Sequence, residues 1–299
     1  MLYFLKAAIV AAAERRRSMN TAGFEIRPMS GALGAEITGL DLSQPMDDDT
    51  FAGFCDAWHR YQVLFFRDQE LTPEQHIELG KRFGELDISR FIPTVEGYPE
   101  IRLQDMSVGG NIPGDVDWHH DNSFMEVPQK CSFLYAKEVP AAGGDTVWVN
   151  TVKVLESLSK PMQKFLEGLT AVHDVIDIMG PALLKQQGPE AWQAARDRTP
   201  PVEHPVVRIH PETGEKCLYI NPLMTSYIKD LNPDESKNLL AFLIEKMVRP
   251  EFMVRFQWAR NSVAFWDNIS TIHRGIYADL PDLGEEPRIM HRVAVTETH

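Results

Sequence analysis

The heptapeptide Trp118-His119-His120-Asp121-Asn122-Ser123-Phe124 carries the residue types that a non-haem iron requires. On an extended strand alternate side chains share a face, so His119 and Asp121 point one way and His120 the other. One imidazole nitrogen and one carboxylate oxygen on a common face are two thirds of the 2-His-1-carboxylate triad, which leaves positions on Fe(II) open for substrates and oxygen. The third ligand must come from elsewhere. The candidate is His273, in Trp266-Asp267-Asn268-Ile269-Ser270-Thr271-Ile272-His273-Arg274, with Arg288 fifteen residues beyond it. An isolated H-x-D is more often a plain hydrogen-bonded pair, so the company it keeps decides the reading.

The elements that must position these residues are mostly short strands. Alternating or continuous apolar runs predict strands over 24–27, 35–38, 63–66, 101–103, 132–137, 146–149, 252–258, 262–266 and 289–295, with a hairpin joining 206–210 to 217–221. Helices are predicted over 47–60, where Phe51, Phe54 and Trp58 recur at helical spacing, and from Pro73 to about 83 behind a Thr72/Gln75 capping box. Others are predicted over 152–158, over 161–169 and after Asn232. Residues 174–201, punctuated by Gly180-Pro181 and Gly188-Pro189, form a long insertion suited to a lid, a substrate loop or an outer helical decoration. Residues 109–114 read as a loop that leads into the iron motif. Many short strands with a few inserted helices make the chain mainly β, with a closed or sandwiched antiparallel sheet.

The 299 residues, 43% hydrophobic and 24% charged, can bury a large core as one domain over 23–299. A formal net charge of −13 opposes binding to nucleic acid or an anionic membrane, so any anionic ligand must be held by local cations. Cys55, Cys131 and Cys217 lie far apart without a C-x-x-C, which fits a reducing, cytoplasmic setting. Residues 1–22 are an apolar stretch followed by Glu14-Arg15-Arg16-Arg17, the wrong order for a secretory signal and too short for a membrane span; they read as an extension without function. Nothing in the composition fixes the oligomeric state, and a homo-oligomer stays open.

From Phe24 to Thr296 the chain resembles the taurine dioxygenase and phenoxyacetate dioxygenase family of Fe(II)- and 2-oxoglutarate-dependent oxygenases. The motifs that carry the resemblance are WHHDNSF, Gly143-Gly144-Asp145-Thr146-Val147-Trp148, His204-Pro205-Val206-Val207-Arg208, the Trp266-Asp267-Asn268 to His273 segment, and Arg288-Ile289-Met290-His291-Arg292. The resemblance implies a double-stranded β-helix, or jelly-roll barrel, with iron held by His119, Asp121 and His273 in its mouth. It implies 2-oxoglutarate and O2 as co-substrates, with Arg288 and Thr146 on the distal carboxylate. A guanidinium suits that carboxylate because it can donate two parallel hydrogen bonds. On a strand, Arg288 and Arg292 share a face about 13 Å apart, and the family arginine at Arg292 meets an acidic group of the substrate or the iron-bound end of the co-substrate; the alternative for Arg292 is a pairing with an aspartate in the core.

Further substrate positions depart from the taurine enzyme. Ser89 and Ile92 stand where it has a histidine and a tyrosine, Asp115 where it has an asparagine, and Met179 and Met224 where it has phenylalanines. The reading is therefore hydroxylation of a C–H in a small sulfonate, sulfate ester or aryloxy acid, followed by loss of the leaving group to give a carbonyl compound, succinate and CO2. Two alternatives stand beside it. One is a hydroxylase of an amino acid or other small acid that leaves a stable product. The other is a metal-containing barrel that binds a ligand without turnover, which would have no need of Thr146 and Arg288.

Overall fold

The computed structural model describes residues 23–88, 92–106, 117–277 and 287–297; the segment 1–22, the loop 109–114, Ser89 and Asp115 lie outside the described residues. In chain order its strands are β1 (Glu25–Pro28), β2 (Ala35–Thr38), β3 (Val63–Phe66), β4 (Thr94–Val95), β5 (Tyr98–Asp105), β6 (Gln129–Glu138), β7 (Thr146–Asn150), β8 (Thr170–His173), β9 (Val202–Pro205), β10 (Val207–Ile209), β11 (Lys216–Leu218), β12 (Thr225–Ile228), β13 (Met253–Phe256), β14 (Val263–Asp267), β15 (Thr271–Gly275) and β16 (Ile289–Thr296). Its helices are α1 (Asp48–Tyr61), α2 (Pro73–Lys81), α3 (Thr151–Glu156), α4 (Lys160–Leu166), α5 (Val175–Gln187), α6 (Pro189–Arg198) and α7 (Pro233–Met247).

Two sheets carry the site. An eight-stranded sheet runs β1-β2-β3-β14-β6-β16-β5-β4, antiparallel except where β2 meets β3, and a three-stranded sheet runs β13-β7-β15. Strand alternation sorts their side chains into layers. Val263 and Phe265 of β14 pack with Phe54 and Trp58 of α1 and Leu79 of α2. Their neighbours Ala264 and Trp266 turn the other way, against Trp148, Val254 and Phe256 of the three-stranded sheet. On β7, Val147 and Val149 face away from that interior, toward Leu155 of α3 and Leu240 and Leu243 of α7. Helices thus cover both outer faces, and the space between the sheets holds this apolar cluster together with the polar residues described below.

Local signals placed the covering helices. Thr72 Oγ1 accepts from the Gln75 N–H at 3.2 Å while Gln75 Oε1 accepts from the Thr72 N–H at 2.8 Å, with Pro73 at the first helical position. The insertion departs from its punctuation: α5 runs through Gly180-Pro181 instead of stopping there. Pro181 forfeits a hydrogen bond inside the helix, and the turn before it is anchored where Val175 and Ile176 pack against Phe124, Leu223, Met224 and Trp192 of α6. Gly180 is required by that packing, since a Cβ there would lie 2.7 Å from Trp192 Nε1. Strands β8, β9, β12 and β15, whose short runs lack clear alternation, were not anticipated. No helix among the described residues is long and apolar enough to cross a membrane.

Candidate active site

His119 and His273 are joined through their backbones. The His119 N–H donates to the His273 carbonyl at 3.0 Å and the His273 N–H to the His119 carbonyl at 2.9 Å, an isolated antiparallel bridge on the edge of β15. Such a hydrogen-bonded pair sets two side chains on one face at close range, and the two imidazole rings lie with centroids 4.4 Å apart. The strand expected through 118–124 is only this one bridge. The chain then turns over 121–124, with Asn122 at φ 53°, so the extended stretch at the motif ends at His120.

Asp121 Oδ1 lies 3.7 Å from His119 Nε2 and 3.7 Å from His273 Nε2. These separations are too long for hydrogen bonds and suit a single cation between the atoms, with ligand bonds of about 2.1 Å. Among the described residues these three form the cluster of candidate metal-ligating atoms, all within 4.8 Å of one another. His119 Nδ1 sits 2.7 Å from the Asp117 carbonyl, which takes the Nδ1 proton and leaves Nε2 bare toward the cluster. Burial outweighs the nearby Asp121 charge and pushes His273 down to about 3, so it is neutral near pH 7 with a lone pair to give. Burial alone would raise the Asp121 carboxyl, but Arg292, His273 and His119 together hold it well below the usual carboxylate range. A neutral imidazole and a fixed carboxylate are the protonation states that coordination needs.

The second oxygen of Asp121 is held by Arg292, the core aspartate pairing that stood as the alternative for that arginine. Arg292 Nη2 forms an ion pair with Asp121 Oδ2 at 2.5 Å and donates to Gln129 Oε1 at 2.5 Å and Ser132 Oγ at 3.1 Å. Gln129 in turn donates to Asp87, which also accepts from Arg102 at 2.6 Å and Asn122 at 2.9 Å. Arg292 is therefore not a free cation awaiting a substrate; it is paired with an aspartate. It still lines the cavity beside the triad. Arg102 and Arg292 are direct cross-strand partners on β5 and β16. Burial first, then the like charge of Arg292, lowers the Arg102 pKa, with Asp87 opposing both.

The cavity has an empty volume of about 330 Å³ and is lined by Gln104, Leu134, Trp148, Trp266, Tyr277 and Arg292, together with His119, Thr146, His273 and Gly275. At its far end the Thr146 hydroxyl accepts from Trp258 Nε1 at 2.9 Å, which leaves its own proton to donate. Arg288, 1% exposed, donates through Nε to the Gly144 carbonyl at 3.2 Å, and its Nη1 is buried without a hydrogen-bond partner among the described residues. An unpartnered buried guanidinium nitrogen is costly, and a carboxylate from a bound diacid would satisfy it. Of the remaining substrate candidates, Met224 is buried against α5, Met179 is 41% exposed on α5, and Ile92 is half-buried; none of the three lines this cavity. Gln104 and Ser132 share the inward period of β5 and β6, but Gln129, three residues from Ser132 next to a register shift in β6, falls off that period and carries no such signal.

The family model described as "Taurine catabolism dioxygenase TauD, TfdA family" matches residues 25–294. The chain is 33% identical over 283 residues to an alkylsulfatase of Acinetobacter baylyi, covering 92% of this chain and 86% of that protein. It is 34% identical over 279 residues to an alpha-ketoglutarate-dependent sulfate ester dioxygenase of Pseudomonas putida, covering 91% and 89% respectively. The crystal structure of a taurine dioxygenase from Burkholderia xenovorans superposes with a TM-score of 0.77 at 34% identity, covering 92% of each chain.

Proposed function

The chain belongs to the TauD/TfdA family and is an Fe(II)- and 2-oxoglutarate-dependent dioxygenase, and from that premise we propose that it cleaves a small acidic organic substrate, an alkyl sulfate ester before a sulfonate or aryloxy acid. His119, Asp121 and His273 are the iron ligands, Arg288 and Thr146 hold the distal carboxylate of 2-oxoglutarate, and Arg292 meets the anionic group of the substrate. The facing sheets are read as the double-stranded β-helix of a single domain over 23–299, working in the cytoplasm. With iron bound, the site uses O2 and 2-oxoglutarate to place one oxygen atom on a substrate carbon, giving succinate and CO2.

The observation that carries the substrate class is charge. Among the described residues of the site, Arg102, Arg288 and Arg292 face only Asp87 and Asp121, one positive charge in excess. A divalent metal and a dianionic co-substrate cancel each other and leave that excess standing. A monoanionic substrate neutralises it, which matters in a buried site where an uncompensated charge is costly. A sulfate monoester is such an anion. Arg292 is fixed on Asp121 and offers the cavity a cation whose position is tied to the metal ligand, so the anion's neighbouring carbon is held close to the triad.

For a primary alkyl sulfate, hydroxylation at the carbon that bears the ester oxygen gives a 1-hydroxyalkyl sulfate. The hydroxyl loses its proton, the C–O bond to sulfate breaks, and aldehyde and hydrogen sulfate leave. The two sulfate-ester relatives support this order of preference over taurine. The test measures succinate, aldehyde and sulfate together for medium-chain alkyl sulfates, alkyl sulfonates, taurine and aryloxyacetates. Equimolar succinate, aldehyde and sulfate are expected with an alkyl sulfate. Succinate coupled to a hydroxylated product that keeps its substituent would refute the leaving-group reading.

A further inference from the structure

Beyond His273 the inward face of β15 continues by the two-residue period through Gly275 to Tyr277, and all three line the cavity, while Ile272 and Ile276 face the opposite apolar cluster. Gly275 is the direct cross-strand partner of Thr146. A Cβ on Gly275 would lie 2.1 Å from Tyr277 Cζ, 2.3 Å from its hydroxyl oxygen and 2.6 Å from Cε1, so the phenol ring rests on the space that a side chain would fill. Gly275 does not have a positive φ, and alanine would fit its backbone. The missing side chain serves the ring. The ring also lies 5.2 Å from the Arg288 guanidinium carbon. Tyr277 therefore meets both Gly275 and Arg288, in the cavity that Thr146 also lines.

We propose that Tyr277, seated on the bare Cα of Gly275, is a further co-substrate-binding residue: it forms the end wall of the distal pocket and sets the length of the 2-oxo diacid the enzyme accepts. The proposal rests on the reading that Arg288 and Thr146 hold the distal carboxylate. A guanidinium against an aromatic face keeps its planar fork in one orientation, and the ring keeps water from the Arg288 edge, where charge pairing is stronger for the exclusion. The ring face would pack against the methylenes of a five-carbon diacid. A six-carbon diacid would have to push it off Gly275.

The experiment titrates 2-oxoglutarate and 2-oxoadipate calorimetrically into the Mn(II)-loaded protein, for wild type, Tyr277→Ala, Tyr277→Phe, Gly275→Ala and the Gly275→Ala/Tyr277→Ala double variant. Mn(II) affinity and thermal unfolding of each variant report on the metal site and the fold. Tyr277→Ala is expected to weaken 2-oxoglutarate on the order of tenfold and to narrow its preference over 2-oxoadipate, with Mn(II) affinity retained. Gly275→Ala should do the same by displacing the ring, and Tyr277→Phe should stay near wild type. In the double variant the Gly275 change should add nothing, because the ring it displaces is gone. Unchanged or tighter 2-oxoglutarate binding in Tyr277→Ala, or fully additive losses in the double variant, would overturn the proposal. Arg288→Met separates it from the reading beneath: if that variant loses 2-oxoglutarate while Tyr277→Ala does not, only the end-wall role fails. If Arg288→Met binds normally, the clamp itself is misplaced.

Discussion

Replacing Arg288 with methionine should move binding and stability in opposite directions. The side chain is 1% exposed, its Nη1 has no hydrogen-bond partner among the described residues, and its contacts there are a 3.2 Å bond to the Gly144 carbonyl and the Tyr277 ring at 5.2 Å. In the protein without metal or co-substrate, methionine loses one hydrogen bond, about 1 kcal/mol, and removes a poorly satisfied buried charge. Swapping buried charged groups for apolar ones of similar volume is often neutral or stabilising by roughly 1–4 kcal/mol. The melting temperature of that form should therefore stay level or rise, at about 2–4 °C per kcal/mol for a chain of this class. For 2-oxoglutarate the change strands a carboxylate, a loss of roughly 2–5 kcal/mol, or on the order of 30- to 5,000-fold in Kd. Thermal unfolding with and without Mn(II) and 2-oxoglutarate reads both, because the ligand's stabilisation scales with its affinity. A variant that binds 2-oxoglutarate as wild type does would refute the clamp. One that melts several degrees lower without ligand would make Arg288 a structural residue.

Three further outcomes are expected. Arg292→Leu should weaken Mn(II) or Fe(II) binding about 10- to 100-fold, the usual effect of losing a partner that orients a metal ligand, because Arg292 holds Asp121 Oδ2; metal affinity equal to wild type in anaerobic titration would contradict this. Thr146→Val should weaken 2-oxoglutarate and also lower stability by about 1–3 kcal/mol by orphaning the Trp258 indole N–H; denaturant unfolding measures the second effect separately. The fold should lose stability in acid. Burial depresses His76 and His173 from 6.5 to about 3 in the folded chain, so as pH falls below 6.5 the unfolded chain takes up protons that the native one refuses until about 3. Each contributes roughly 1.4 kcal/mol of loss per pH unit across that window. His210 runs the other way: burial lowers it but Asp267 outweighs burial and raises it, so its stabilisation is complete below 6.5 and fades as pH rises through its folded value. His76→Phe should flatten the acid limb of a stability–pH curve; an unchanged slope would refute the assignment.

Elements fixed by neighbours in sequence were legible to the residue. Strand β3 at 63–66 and the Thr72/Gln75 capping box stand as expected, because a four-residue apolar run and a reciprocal cap are decided within one turn of chain. The inserted helix α5 was legible only as one alternative, since Gly180-Pro181 reads locally as a break and the packing of Val175 and Ile176 on Phe124, Leu223 and Trp192 comes from distant segments. At the site the chemistry of His119, Asp121 and His273 could be named from residue types and order, but the pairing that joins the two histidines could not. The backbone bridge from His119 to His273 supplies it, across more than 150 residues of chain.

The partners of Asp121 show why the remainder was hidden. Arg292 looked like a lone inward cation because the β16 sequence displays only its own face, and the residues that satisfy it, Gln129 and Ser132, come from β6. Asp87, which anchors both Gln129 and Arg102, precedes β5 by more than ten residues. Two arginines opposite one another in a buried cross-strand pair would be destabilising alone. They are tolerated because each has an aspartate, and only one of those aspartates is a candidate metal ligand. That asymmetry has a consequence. A metal that draws charge from Asp121 weakens its hold on Arg292 but leaves the Arg102–Asp87 pair untouched, so the guanidinium freed for an incoming anion is the one beside the metal. Order of addition should follow: an anionic substrate is expected to bind more tightly to the Mn(II)-loaded protein than to the metal-free one, and this difference should disappear in Arg292→Leu. Equal anion affinity with and without metal in the wild type would mean that Arg292 stays committed to Asp121 and anchors nothing else.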